Sequence, residues 1–148
     1  MQQILLFLFA IAAGVILPVQ AGLNTELGRA LKSPVYATLM SFATGLFALL
    51  IYGFVTRMPF ANVKNALSLP WYYWLGGVIG AVYVYAIIIL TPRLGVALTF
   101  GLTVASQMIF GVVMDHFGWL DVPVHAVSWP RILGVLLVIG GVVLIRTN

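Results

Sequence analysis

From Ile4 to Leu23 the chain runs through twenty residues with no charge and a single amide. About 20 such residues are what a helix needs to cross the hydrocarbon core of a bilayer. Four more predominantly apolar stretches follow, at about 34–56, 71–91, 94–117 and 130–146. Inside hydrocarbon every backbone N–H and C=O must find a partner within the protein, so only helices and closed barrels are available. The apolar residues come in long runs and do not alternate with polar ones, which selects helices over a barrel. The expected fold is therefore an all-α integral membrane protein, a single membrane domain over residues 1–148 with five transmembrane helices.

Charge content supports this. Only 7% of the 148 residues are charged, against about 25% in a soluble domain. The net charge of +4 does not point to nucleic acid, because the seven basic residues stand singly at the ends of the apolar runs. Cysteine is absent, which excludes disulfides and thiolate chemistry. The first run lacks a basic leader and is followed by further spans, so it reads as a retained helix and not as a signal peptide.

Gly14 to Glu26 is the most informative stretch. Pro18 within a helix removes a backbone donor and crowds the carbonyl of Gly14, four residues back, so a bend is expected there. Gln20 and Asn24 follow four apart, on one face. Two amides on one face of an apolar helix need polar company: another helix, water or a solute. Glu26 is the sole glutamate. It is a possible coupling carboxylate, but it lies beyond the span and three residues from Arg29, a spacing that favours an interfacial ion pair.

Ser33-Pro34 reads as an N-cap followed by proline in the first helical turn. The second helix carries Thr38, Ser41, Gly45 and Tyr52, and a polar connection from Arg57 to Pro70 with Lys64 and two asparagines follows. Trp71 to Trp74 form an interfacial aromatic belt. Gly76, Gly80 and Tyr83 share a face of the third helix, which is expected to stop at Pro92. On the fourth helix Thr99, Thr103, Ser106 and Gln107 fall at i, i+4, i+7 and i+8, a single stripe on an otherwise apolar rod. The stripe reads as a solute path near the bilayer midplane, the alternative being hydrogen bonds between helices. Ser128-Trp129-Pro130 repeats the cap-and-proline start, and Gly134, Gly140 and Gly141 offer the fifth helix a close-packing face within the bundle or at a dimer contact.

Catalysis is not indicated. No glycine-rich loop with a lysine is present, and neither a serine nor a histidine is placed for a nucleophile and base pair, since both histidines cluster in one terminal region. Asp115, His116, Asp121 and His125 gather there too and read as solvated, not as a metal site. Neither a metal nor a cofactor is expected.

Five spans put the two termini on opposite sides of the membrane. Arg57, Lys64 and Arg131 fall on one side, and Arg29, Lys32, Arg93 and Arg146 on the other. Orientation follows such asymmetry, and a difference of one residue hardly sets it. The chain is therefore expected to insert both ways and pair as an antiparallel homodimer, giving a ten-helix inverted-repeat bundle.

Several of these stretches are similar to those of a known group. Gly14-Val-Ile-Leu-Pro18 with Gln20 and Asn24-Thr-Glu-Leu-Gly-Arg29 resembles the first-helix signature of the five-helix, half-size branch of the drug/metabolite transporter superfamily. Thr103-Val-Ala-Ser-Gln107 followed by Asp115-His-Phe-Gly118 resembles its fourth helix, and Gly134-Val-Leu-Leu-Val-Ile-Gly-Gly-Val142 its last. The resemblance implies a multi-pass protein of the bacterial inner membrane that exports or exchanges small organic solutes. Four-helix multidrug-resistance relatives carry a first-helix glutamate near mid-membrane; Glu26 lies farther out. The resulting expectation is a secondary transporter working by alternating access. Its solute would lie near the midplane between helices one, three and four, against Gln20, Asn24, Tyr83, Thr99, Thr103, Ser106 and Gln107, with Gly14 and Pro18 as the hinge. The alternatives are a dual-topology ion or small-solute channel and an assembly or lipid-handling helper.

Overall fold

A computed structural model describes residues 1–59 and 63–147. Five long helices, α1 (Gln2–Ala30), α2 (Pro34–Val55), α3 (Leu75–Leu94), α4 (Val96–Phe117) and α5 (Trp129–Thr147), make up most of it. Each, α3 together with the 3₁₀ turn Trp71–Trp74 that leads into it, is long and apolar enough to span a membrane. No strand occurs among the described residues. A short helix, Val63–Ala66, interrupts the polar connection after α2, whose Asn62 lies outside the described residues.

The chain divides into two compact units, residues 1–92 and 93–148. In the first, α1 packs on α2. The contact uses only the C-terminal part of α1, where Ala21, Asn24, Thr25 and Gly28 are buried, whereas every residue from Gln2 to Leu17 is exposed. The close approach is made at Gly28. A Cβ added there would lie 3.1 Å from Ile88 Cγ2 and 3.7 Å from Ala37 Cβ, so hydrogen in place of a methyl lets α1, α2 and α3 meet. Gly80 performs a looser version of this role against the Phe42 ring.

Both ends of the α1–α2 hairpin are set by local chemistry. Ser33 Oγ accepts the Tyr36 N–H at 3.3 Å, with Pro34 as first helical residue. Before it, Ser33 N–H donates to the Gly28 carbonyl and Lys32 N–H to that of Arg29, while Lys32 adopts φ +51°. This is a Schellman ending with lysine where glycine is usual. The α2 terminus repeats it: Met58 bonds to Gly53, Arg57 to Phe54, and Arg57 has φ +53°.

Pro92 does not stop α3. The helix continues through Leu94 and yields only at Gly95, whose φ of +79° is outside the helical range. A proline this close to a helix C-terminus forfeits one backbone bond without blocking the last turn; the glycine, free of a Cβ, is what permits the turn.

In the second unit α4 packs on α5. The glycine at the seam is Gly101, whose added Cβ would meet Val142 Cγ2 at 3.0 Å. The α5 glycines do not serve this packing: a Cβ on Gly134, Gly140 or Gly141 would meet nothing within 4 Å. α4 ends at Gly118 in the left-handed region, and Val124 sits 2.7 Å from the position of its absent Cβ. The following segment folds back onto the helix end, where His125 N–H donates to the Asp115 carbonyl at 2.9 Å and Val127 N–H to His116 Nδ1 at 3.4 Å. Ser128 begins α5 through its carbonyl, which accepts from Ile132.

Candidate functional site

Polar side chains in the spans fall into two sets, one in each unit. In the first unit Asn24 is buried and its Nδ2 donates to Ser41 Oγ at 3.1 Å. This bond fastens α1 to α2. One turn earlier, Gln20 is exposed and lines a groove of about 380 Å³ with Ser41, Phe42, Gly45 and Val84. Its amide has no hydrogen-bond partner among the described residues. Tyr83 on α3 is half-buried. Gly14 and Pro18 lie within α1, which passes through them as one continuous helix. A Cβ on Gly14 would meet nothing, so this segment is free of packing on that side.

Glu26 carries its charge outside the packed region. It pairs with Arg29 at 2.5 Å, with both side chains well exposed. The spacing of three residues places them on adjacent turns of one helix face.

In the second unit the α4 stripe runs from the seam to the surface. Thr99 is 1% exposed, Thr103 half-buried, and Ser106 and Gln107 exposed. The three hydroxyls donate to their own helix: Thr99 to the Gly95 carbonyl at 2.7 Å, Thr103 to Phe100 at 3.1 Å, Ser106 to Leu102 at 2.9 Å. With the proton so engaged, each oxygen retains only acceptor capacity toward anything else. Gln107 is different. Its amide is without a partner among the described residues and keeps both donor and acceptor. It lines a groove of about 340 Å³ with Gly111, Asp115, Arg131 and Gly134.

The Asp115–Arg131 pair was not anticipated from the sequence. Arg131 Nη2 lies 2.5 Å from Asp115 Oδ2, and Nη1 donates to the His125 carbonyl at 2.9 Å. About a third of each side chain is exposed. A signal was present: Asp115 in the last turn of α4 and Arg131 in the first turn of α5 are joined by a short segment, so an antiparallel pairing brings opposite charges to the same height. Among the described residues no three acidic or histidine side chains converge as metal ligands would.

The family described as "Putative inner membrane exporter, YdcZ" matches residues 5–144. The chain is 30% identical over 150 residues to the inner membrane protein YdcZ of Escherichia coli (strain K12), an alignment that covers 100% of this chain and 99% of that protein. No solved structure matches it. The match spans all five apolar helices, including the first- and fourth-helix motifs that resemble the half-size drug/metabolite transporters. The chain belongs to this YdcZ family of drug/metabolite transporters, as a five-helix, multi-pass protein of the inner membrane.

Proposed function

We propose that the chain is a secondary transporter that exports or exchanges a small organic solute by alternating access, and that it acts as an antiparallel homodimer. One observation carries the reading. Gln20 and Gln107 stand in the apolar spans, exposed in open grooves, with their amides unpaired among the described residues. An amide facing lipid without a partner costs on the order of several kcal/mol. Water, solute or a second protein surface must therefore face these grooves, and a solute path supplies that company. Thr103 and Ser106, limited to acceptor roles, suit a solute that donates hydrogen bonds. Asn24 acts here by holding α1 on α2. Gly14 and Pro18 give α1 a place to flex during the cycle.

Counterflow into proteoliposomes tests this. Uptake should saturate with solute and be accelerated by solute on the far side; a channel would show neither. Gln107→Leu should abolish uptake while the protein still inserts and elutes as wild type. Uptake at the wild-type rate from that variant removes Gln107 from the path.

A further inference from the structure

The α4–α5 groove has a chemical pattern that narrows what it holds. Its mouth carries Asp115 and Arg131, near the ends of their helices. Gln107 lies eight residues deeper on α4, about 12 Å along the axis. Between them the floor is backbone: Gly111 and Gly134 each leave open the space a Cβ would enter. Met108, Val112 and Val135 supply an apolar wall. The volume of about 340 Å³ is at the small end of ligand cavities, of the order of one small metabolite.

Charge decides between ligand classes. The lining holds one acid and one base. An organic cation taking Asp115 would strand the guanidinium, and an organic anion taking Arg131 would strand the carboxylate; an unpaired charge in a partly desolvated site is costly. A zwitterion leaves neither stranded. Its carboxylate meets the guanidinium, which has five N–H donors and uses one on Asp115 and one on the His125 carbonyl. Its ammonium meets the carboxylate of Asp115. One ion pair becomes two.

We propose that this groove binds a small zwitterion of the α-amino-acid type, with its carboxylate on Arg131, its ammonium on Asp115 and its side chain along the apolar wall toward Gln107. This assignment names the solute class for the transport reading and rests on it only for the physiological meaning of binding.

The test is equilibrium binding of leucine to the full chain in nanodiscs, against leucinol, which lacks the carboxylate, and 4-methylpentanoate, which lacks the ammonium. Leucine should bind saturably and at least about tenfold more tightly than either analogue. A Cβ at Gly134 would meet nothing within 4 Å, so Gly134→Leu extends into the groove and should weaken leucine at least tenfold with unchanged thermal unfolding. Gly111→Leu is the second groove-filling variant, to be used if the first unfolds. No leucine binding, equal binding of leucine and leucinol, or full binding by a folded groove-filled variant overturns the assignment. Parallel counterflow separates the two claims. Saturable transport of another solute without leucine binding sinks the zwitterion site and leaves the transporter; leucine binding without any solute movement does the reverse.

Discussion

The Asn24–Ser41 bond offers the sharpest test of what the first-helix amides do. Asn24 is 7% exposed and donates to Ser41 Oγ at 3.1 Å, a normal length, from one of its two N–H groups. Hydrogen bonds between membrane helices average about 0.6 kcal/mol and reach about 1.7 at most. Here a single neutral bond is made and Ser41 is half-buried, so a coupling of about 0.5–1 kcal/mol is expected. Asn24→Ala also removes buried contacts of the amide, adding about 1 kcal/mol to the single-variant loss. A double-mutant cycle of Asn24→Ala and Ser41→Ala, read by reversible unfolding in mixed micelles, isolates the bond. Counterflow on the same three variants completes the experiment. Transport should fall only as far as the folded fraction falls. Zero coupling together with lost transport in a fully folded Asn24→Ala protein would refute the view of Asn24 as a fastener and return it to the solute path.

Three other outcomes are expected. Gly28→Val should destabilise by about 2–3 kcal/mol in the same unfolding assay, because Ile88, which would have to give way, is buried and Ala37 already stands in contact on the other side. Lys32→Gly should stabilise by about 1 kcal/mol, since φ +51° strains lysine and suits glycine, provided the Ser33 cap is kept. A reporter fused to the C-terminus should give signal from both faces of the membrane if insertion is dual, and signal from one face alone rejects the antiparallel pair.

How much of this was legible in the sequence depended on whether a feature is local. The five spans follow from uninterrupted apolar length, and the Ser33 cap and the Glu26–Arg29 pair from spacing within one or two turns. Packing was harder to read. When every face of a helix is apolar, no hydrophobic stripe marks the side that meets a neighbour, so Gly28 and Gly101 looked no different from Gly134 or Gly141. Which glycine faces a partner is a tertiary fact. Pro92 misled for another reason. Its helix-breaking effect is largest in a helix interior and small in the final turn, where Gly95 was the real terminus. Of the candidate site, the residue types were legible but not their engagements. Asn24 and Gln20 share a face, yet one is tied to Ser41 and the other has no partner among the described residues. The Asp115–Arg131 pair required setting two helix ends side by side.

The bare outer part of α1 has a mechanical consequence. From Pro18 to Gln2 the rod extends about 24 Å, with its residues outside the packed region of its unit. If α1 flexes at Pro18, as the proposed cycle requires, this part becomes a lever arm pivoted near its foot. By that length, each degree of deflection at the proline carries the tip sideways by about 0.4 Å. No buried contact of Gln2 to Leu17 within the unit would have to break for such a swing, so lipid and whatever docks against the arm would set its angle.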